Sequence, residues 1–338
     1  MSLTKERLDE LLERFKDLSI VLIGDLFLDR WYEIDPLLDE PSLETGKPAH
    51  QVVGKRSAPG AGGNVLNNIA ALGTGHVTAV SFVGDDGDGY ELLSHLKRIG
   101  IDVSKVLVSD RVVTPSYIKP LWPEEGERFD IKNFRKTPAD IEDALIGSLE
   151  SLMKEKPDAV VILDQVCEAD CGVVTEKVRN AVAGIAGANP GTVFIADSRQ
   201  FPGEFRNVIL KCNNHEALEI SGGRKDDDTF SPDELFSAMH RLEELTGRQV
   251  IVTCNKYGIA VRDGNESRLV PAVRQNGPID VCGAGDAATA GFAAALSAGA
   301  SMQEAAAVAN LCSGVCVRKI DQTGSASPLE IQAIFREY

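Results

Sequence analysis

Apolar residues occur along the chain in two alternating patterns. Short runs with an apolar residue at nearly every position predict strands buried on both faces, at 20–23, 78–83, 159–163, 193–196, 208–210, 250–252 and 259–261. Longer stretches with apolar residues at a helical spacing predict helices at 4–16, 64–72, 90–99, 141–154, 173–186, 232–245 and 287–297. Buried strands that alternate with helices predict an α/β fold, with a doubly wound and mostly parallel sheet flanked by helices.

Two segments depart from this rhythm, at about 28–58 and 112–134. They contain alternating, strand-like stretches without a helical period, at 30–34, 51–56, 114–121 and 128–133. These strands form either a small separate β-sheet or additional edge strands of the main sheet. By itself, the pattern favours edge strands.

The composition narrows the range of partners. The chain has 51 acidic and 35 basic residues, which gives a formal net charge of −16. Nucleic acids and anionic membranes favour basic surfaces, so neither is expected as a partner. No apolar run reaches the length of a membrane span and the first residues lack the apolar core of a signal peptide, so we expect a cytoplasmic protein.

The cysteines and histidines show no spacing typical of a metal site. The seven cysteines (167, 171, 212, 254, 282, 312 and 316) contain no C-x-x-C pair and are expected to be reduced thiols in the core. Cys312 and Cys316 lie one helical turn apart, but no other close ligand pair completes a metal site. His215 is expected to be a packing residue.

One glycine-rich segment has the composition of an anion-binding site. Residues 280–286 read Asp-Val-Cys-Gly-Ala-Gly-Asp and lead into the small and apolar residues of 287–300. A glycine-rich turn that opens a helix leaves backbone N–H groups unpaired at the positive end of the helix dipole. Asp286 beside them suggests a base that removes a hydroxyl proton while the N–H groups hold a phosphoryl group. In the alternative interpretation, Asp286 is an ordinary helix cap.

The segment D-x-x-G-A-G-D resembles the second signature of the PfkB, or ribokinase-like, family of carbohydrate kinases. The first signature of that family is matched by residues 58–64, Ala-Pro-Gly-Ala-Gly-Gly-Asn, and by the Gly-Asp-Asp turn at 84–86. Residues 213–216, Asn-Asn-His-Glu, resemble the family's N-x-x-E motif. These motifs follow one another in the family's order, and the resemblance covers roughly residues 18–335.

The resemblance implies an ATP-dependent kinase that phosphorylates a hydroxyl of a sugar or sugar phosphate. Gly-Gly-Asn is the sugar loop of the family, where two glycines let the backbone approach a ligand and an asparagine amide can bind a diol. The implied sugar-binding residues are Asp25, Asp29, Gly63 and Asn64. The implied catalytic residues are the base Asp286 and the anion-hole residues Gly283, Ala284 and Gly285.

The resemblance also implies a nucleotide side with magnesium. Asn213 and Glu216 would organise Mg²⁺ through its waters. Thr253 and Gly258 belong to a turn like the family's T-x-G-x-x-G, in which Asn255 replaces the first glycine. Asn310 would line the adenine side, and Asp280 lies where many relatives bind potassium.

The same resemblance implies the organisation of the chain. Residues 1–338 would form a single kinase domain, in which 28–58 and 112–134 are lid segments over the sugar. Such a lid excludes water, so that the phosphoryl group reaches the sugar. Relatives pair through these lid sheets, which implies a homodimer.

Within the family, the chain resembles the heptose-phosphate kinase branch. Residues 24–32 match that branch's G-D-x-x-L-D-R-Y pattern, and 327–330 match its S-P-x-E ending. Two segments depart from it, because D-Y-x-K-G is replaced by Asp-Gln-Val-Cys-Glu at 164–168 and D-P-K by Asp-Ser-Arg at 197–199. Both lysines are absent, so the identity of the sugar stays open.

Basic residues in the lid segments bear on the charge of that sugar. They are Lys47, Lys55, Arg56, Lys119, Arg128, Lys132 and Arg135. Arg128 and Lys132 would share one face of a strand, where they could pair with a phosphate. We therefore expect a phosphorylated sugar, a heptose phosphate first and a hexose phosphate second. Alternatively, these are solvated surface charges.

Rival functions are less compatible with the sequence. The dinucleotide-binding fingerprint is not met, because Pro59 rather than a strand precedes the glycines and Val65 occupies the place of a small residue. No Gly-Lys pair is followed by Ser or Thr, which argues against a P-loop. A sugar- or nucleotide-sensing protein that kept the fold and lost catalysis is the alternative, but the motif around Asp286 is intact.

Overall fold

Helices and strands alternate along most of the chain in this computed structural model, which describes residues 3–122, 124–222, 230–264, 266–320 and 322–338. The strands are β1 (Ser19–Gly24), β2 (Leu26–Ile34), β3 (Glu40–Pro41), β4 (Pro48–Ala49), β5 (Val52–Ala61), β6 (His76–Gly84), β7 (Asp102–Ser109), β8 (Ser116–Trp122), β9 (Glu124–Glu125), β10 (Phe129–Ile131), β11 (Ala159–Asp164), β12 (Val193–Ser198), β13 (Ile209–Asn213), β14 (Val250–Thr253), β15 (Ile259–Asp263) and β16 (Glu266–Val270). The α-helices are α1 (Lys5–Arg14), α2 (Gly62–Ala71), α3 (Gly87–Arg98), α4 (Ala139–Met153), α5 (Glu176–Ala188), α6 (Asn214–Ile220), α7 (Pro232–Thr246), α8 (Ala284–Ser297), α9 (Met302–Cys316) and α10 (Pro328–Phe335).

Within the described ranges, nine strands form the main sheet in the order β16-β15-β14-β13-β12-β11-β1-β6-β7. All neighbours from β14 to β7 are parallel, and β15 and β16 are added antiparallel. The predicted α/β fold with a mostly parallel sheet flanked by helices is confirmed. The carboxyl ends of the parallel strands lie at one edge of the sheet, where α/β proteins bind their ligands.

The edge strands β7 and β16 were absent from the sequence prediction. Both contain several polar and charged residues, and some of their side chains are exposed. An edge strand covered on one face has no continuous apolar run, which was the signal used to find strands.

Helices α8 and α9 pack closely because their facing residues are small. The side chains from Ala287 to Ala295 are all buried, so α8 contributes to the core on every side. A Cβ atom on Gly291 would lie 3.0 Å from the Cα of Ala309 in α9. This packing fixes the amino-terminal end of α8 against the sheet. No helix in the described part of the chain is long and apolar enough to span a bilayer.

The segments that break the helical rhythm form a separate sheet, so the edge-strand interpretation is wrong. This small sheet has the order β10-β8-β2-β5, with β9 paired to β8. It extends beyond the predicted bounds, because β2 begins at Leu26 and β5 ends at Ala61. Since β2 follows β1 after one residue and β5 runs directly into α2, the small sheet lies next to the carboxyl edge of the main sheet.

Candidate active site

The turn before α8 offers open backbone N–H groups. Gly283 adopts a left-handed conformation (φ 79°) as the residue before the helix. The N–H of Ala284 donates to Val281 O at 3.2 Å, whereas those of Gly285 and Asp286 have no partner in the described ranges. The turn therefore presents two open amides, rather than three, at the positive end of the helix dipole.

Asp286 lies in the first turn of α8 and contacts the sugar loop. Its Oδ2 accepts a hydrogen bond of 2.5 Å from Nδ2 of Asn64. Burial raises the pKa of Asp286 to about 6, although the bond from Asn64 and the charge of Lys211 oppose the shift. The carboxylate is thus ionised at neutral pH and basic enough to take a proton.

The orientation of Asn64 is set by its neighbours. Nδ2 of Asn68, one helical turn later, donates to Oδ1 of Asn64 at 3.2 Å, which leaves Nδ2 of Asn64 to face Asp286. A Cβ atom on Gly283 would lie 2.9 Å from that Nδ2. Gly283 is therefore required both for its left-handed conformation and for the approach of the two segments.

Asp25 is turned into the protein, beneath the sugar loop. Its carboxylate accepts hydrogen bonds of 2.7–3.0 Å from the backbone N–H groups of Gln165, Val166 and Val173. Burial raises the pKa of Asp25, and these bonds oppose the shift. The carboxylate of Asp25 therefore holds the segment after β11 against the end of β1.

Gly63 is buried under the small sheet. A Cβ atom there would lie 2.7 Å from the Cβ of Pro59. Ala61, two residues earlier, has φ 49° and ψ −123°, a conformation that is costly for a residue with a side chain. The sharp change of direction from β5 into α2 places Asn64 at the cleft.

Asp29 projects from β2 on the face of the small sheet that carries Trp31 and, from β8, Tyr117 and Lys119. Burial raises the pKa of Asp29, and the charges of Lys119 and Arg128 oppose the shift. The charge of Asp29 also contributes to the raised pKa of Asp286, so the small sheet brings a second carboxylate into the vicinity of the start of α8.

Asn213 and Glu216 are bonded to each other at the start of α6. The side chain of Asn213 accepts from the N–H of Glu216 at 2.9 Å, and Oε2 of Glu216 accepts from the N–H of Asn213 at 2.8 Å. This capping box orients the Glu216 side chain. Burial raises the pKa of Glu216.

The remaining residues of the predicted nucleotide side continue along this edge. Thr253 is the direct neighbour of Asn213 in the adjacent strand. Asn255, which replaces a family glycine, keeps a left-handed conformation (φ 48°) that asparagine tolerates well. A Cβ atom on Gly258 would lie 2.1 Å from Val270 O, and Nδ2 of Asn310 donates to that same oxygen at 3.0 Å.

Asp280 lies in the loop before the anion turn. Its Oδ1 accepts from the N–H of Cys282 at 2.9 Å. The loop at 322–327 lies against the same turn, since a Cβ atom on Gly283 would meet Thr323 at 3.4 Å. The hydroxyl of Thr323 is buried and has no hydrogen-bond partner among the described residues.

Lys211 is a site residue that sequence reasoning missed. It lies near the end of β13 in register with Asp197 of β12, and Nζ of Lys211 is 2.6 Å from Oδ2 of Asp197. A Cβ atom on Gly285 would lie 3.4 Å from this Nζ, which places the ammonium beside the anion turn. The available signal was a lysine two residues before the N-x-x-E motif, at the end of a buried strand.

The lid cations differ from the expectation for Arg128 and Lys132. Arg128 binds both oxygens of Asp130 at 2.6 and 2.8 Å, and Nζ of Lys132 is 3.6 Å from Glu168. These two charges are therefore matched by carboxylates. By contrast, Lys119 lies over the ring of Trp31 at 4.8 Å and has no carboxylate within ion-pair distance in the described ranges.

The residues at this edge suit a metal that is held mainly by a ligand. No group of three or more His, Cys, Asp or Glu residues forms a metal cage within the described ranges. Of the two carboxylates near Lys211, Asp197 is paired with the ammonium, which leaves Glu216 to face a metal. This donor set fits a magnesium ion that is bound to phosphates and is reached by the protein through waters.

The fold and the cleft define a ribokinase-like protein with an anion site at the start of a helix. A family model described as "pfkB family carbohydrate kinase" matches residues 19–329. The chain belongs to this family. The resemblance inferred from the motifs is confirmed.

Among characterised sequences, the chain is similar to bifunctional proteins named HldE. It is 31% identical over 335 residues to that of Hyphomonas neptunium, with 97% of this chain and 65% of the relative covered. It is 29% identical over 317 residues to that of Aliarcobacter butzleri, with 91% of this chain and 62% of the relative covered. The chain thus spans less than two thirds of the length of these relatives.

Solved structures share the fold at lower identity. Ribokinase of Arabidopsis thaliana complexed with ribose and ATP superposes with a TM-score of 0.69 and 17% identity, covering 94% of this chain and 99% of that one. Phosphofructokinase-2 from Escherichia coli in complex with potassium gives a TM-score of 0.71 and 18% identity, covering 94% and 98%.

Proposed function

We propose that this protein transfers a phosphoryl group from ATP to a hydroxyl of a sugar or sugar phosphate. The observation that carries the proposal is the contact between Asn64 and Asp286 at 2.5 Å, beside the open amides of the anion turn. A base, a sugar-loop amide and an anion cradle thus meet at one point, where a hydroxyl and a phosphoryl group can react. Residues 1–338 would work as one kinase domain, with the small sheet as its lid.

On the acceptor side, Asp29 and Asn64 hold hydroxyl groups of the sugar. Asp286 accepts the proton of the attacking hydroxyl, while Asn64 keeps the carboxylate in place. Asp25 and Gly63 support these residues without binding the sugar directly. Asp25 anchors the segment after β11, and Gly63 packs on Pro59.

On the donor side, ATP with Mg²⁺ supplies the phosphoryl group. The amides of Gly285 and Asp286 stabilise charge on this group, and Ala284 and Gly283 shape the turn. Asn213 and Glu216 orient the waters of the metal, Thr253 and Gly258 support the nucleotide, and Asn310 shapes the adenine side through its bonds to the backbone. Because the transition state is loose, this positioning contributes more than the strength of the base.

An ADP-release assay tests the proposal directly. The purified protein is incubated with ATP and Mg²⁺ and with heptoses, pentoses, nucleosides and hexose phosphates in turn. ADP formed only in the presence of one acceptor class supports a sugar kinase. Nucleotide binding without turnover on any of these acceptors would favour the sensing protein instead.

The pH profile of kcat/KM should show an acidic limb near pH 6. Only the ionised carboxylate of Asp286 can accept a proton, so activity is present above its pKa of about 6 and is lost as the pH falls through it, roughly tenfold per pH unit. Asp29, Asp197 and Lys211 face Asp286 and contribute to this value. The profile is measured alongside circular dichroism, to show that the fold persists.

A flat profile down to about pH 5, with the fold intact, would contradict the role of Asp286 as the base. The limb should also be absent from the residual activity of Asp286→Asn.

The acceptor itself is proposed to carry a phosphate, with a heptose phosphate first and a hexose phosphate second. The supporting observation is Lys119, whose charge acts on both Asp29 and Cys282 and therefore lies at the mouth of the cleft. An ammonium without a carboxylate partner in the described ranges is suited to a phosphate monoester. Arg56 lies over the same Trp31 ring at 4.3 Å and adds to the positive potential.

Lys119→Met should raise KM for a phosphorylated acceptor about 10- to 100-fold, because a charge-assisted contact is lost. KM for ATP should stay unchanged. Lys55→Met is the matched control, since Lys55 pairs with Tyr32 and so lies on the opposite face of the same sheet. If the wild-type protein uses the unphosphorylated sugar with equal or better kcat/KM, the charge argument is wrong.

Two further elements belong to this proposal. Exposed apolar side chains on the small sheet (Val52, Val53 and Phe129) support a homodimer through the lids. Asp280 and the buried, unpartnered hydroxyl of Thr323 support a potassium site behind the anion turn.

A further inference from the structure

A buried ammonium group with unused donors faces the anion turn. The side chain of Lys211 is almost completely buried, and in the described ranges its only hydrogen bond is the one to Asp197 at 2.6 Å. An ammonium has three N–H donors, so two of them are available to another acceptor. The ammonium lies beside Gly285, where an added Cβ atom would be 3.4 Å from Nζ.

The charges around Lys211 do not account for its burial by themselves. Burial would lower the pKa of Lys211, but the carboxylates of Asp197, Asp286 and Glu216 outweigh this effect and raise it, so the group is protonated. A buried ion pair is a poor source of stability, because desolvation costs about as much as the attraction returns. A fixed cation beside open amides at a helix amino terminus has a direct chemical use, because both favour an anion.

We propose that Lys211 is a catalytic residue whose ammonium contacts the phosphoryl group during transfer, a role that rests on the proposed kinase function. The lysines of two segments typical of the heptose-phosphate kinases are absent from this chain. Lys211 is in register with Asp197, the first residue of one of these segments, and supplies a positive charge from the neighbouring strand.

In the proposed phosphoryl transfer, each group of the site has one role. The bond between the terminal phosphorus of ATP and its bridging oxygen breaks, and a bond forms from the acceptor oxygen to that phosphorus. The acceptor proton passes to Asp286, and ADP leaves with the electron pair of the broken bond. Lys211 keeps its protons throughout and neutralises charge on the phosphoryl oxygens, together with the amides of Gly285 and Asp286.

Binding of two nucleotides distinguishes this role from a structural one. ADP and the non-hydrolysable β,γ-imido analogue of ATP are titrated by calorimetry, with Mg²⁺, into wild-type protein and Lys211→Met. Since only the analogue carries the terminal phosphoryl group, its affinity should fall about 10- to 100-fold while that of ADP changes little. Lys211→Arg keeps the charge and should restore part of the loss.

Two more variants separate the role from folding. Lys211→Met combined with Asp197→Asn removes both members of the buried ion pair and should show the same selective loss. Arg179→Met removes another buried cation, whose ion-pair partner Glu204 is half exposed, and should affect neither nucleotide. If the double variant loses affinity equally for both nucleotides, or for neither, the proposed role of Lys211 is wrong, while the proposed kinase function is unaffected. If wild-type protein binds neither nucleotide, the proposed kinase function is wrong, and the role of Lys211, which rests on it, is wrong as well.

Discussion

Asp286→Asn should lower kcat by about 10²- to 10⁴-fold, which is the usual contribution of a positioned general base. The substituted amide has nearly the same shape, and its oxygen can still accept the bond from Nδ2 of Asn64, so the site should keep its geometry. What is lost is the ability to take the acceptor proton at neutral pH. Steady-state kinetics with saturating ATP and acceptor measure the effect.

Two controls accompany this measurement. The affinity for ATP should change little, because the backbone N–H of residue 286 remains in place. The thermal unfolding midpoint should also stay close to that of the wild type. Turnover at the wild-type level would show that Asp286 only holds Asn64 in place and that another group, or none, removes the proton.

Asp29→Ala should weaken binding of the acceptor by about 100-fold or more, since a carboxylate that holds two hydroxyls makes two charge-assisted hydrogen bonds. The affinity for ATP should change by less than about threefold, because Asp29 lies on the small sheet and the nucleotide residues lie on the main sheet. Calorimetry with acceptor and with nucleotide separately measures both effects.

The matched control for this variant is Glu33→Ala, on the same face of the same strand but two positions beyond Trp31. It should leave both affinities near their wild-type values. Equal loss of acceptor and nucleotide binding in Asp29→Ala, with an intact fold, would assign Asp29 a structural role.

At two positions where the sequence departs from the family motifs, the structure shows a related feature at or beside the changed residue. Asn255 replaces a glycine but adopts the same left-handed region, at φ 48°. Beside 197–199, where the lysine of the branch is absent, the adjacent strand carries Lys211 in register with Asp197. A comparison of the sequence with the family motifs counts both positions as mismatches, because it does not consider residues that are close only in space.

The surroundings of two buried carboxylates, Asp25 and Asp164, could also be found only from the structure. Asp25 follows β1 and Asp164 ends β11, and both are buried. Burial and the nearby charge of Asp25 raise the pKa of Asp164 to about 7, although the hydroxyl of Ser198 donates to it at 2.7 Å. Asp25 was expected to hold the sugar, whereas the structure shows three backbone N–H groups on its carboxylate. Hydrogen-bond partners of this kind depend on a loop 140 residues away.

The sequence by itself determined the fold class, the family and the residues on which the proposed chemistry rests. These properties are local: apolar runs predict buried strands, and a glycine-rich turn before a small-residue helix predicts an anion site. Asn64 and Asp286 could be identified because each belongs to a short motif.

Only the tertiary structure decided how these motifs meet. It paired Asn64 with Asp286 across 222 residues of chain, separated the small sheet from the main sheet, and matched Arg128 with Asp130. It also placed Lys211 beside the anion turn. Burial, hydrogen bonding and the balance of charge arise from residues distant in sequence, and these contacts decide which charged groups can reach a substrate.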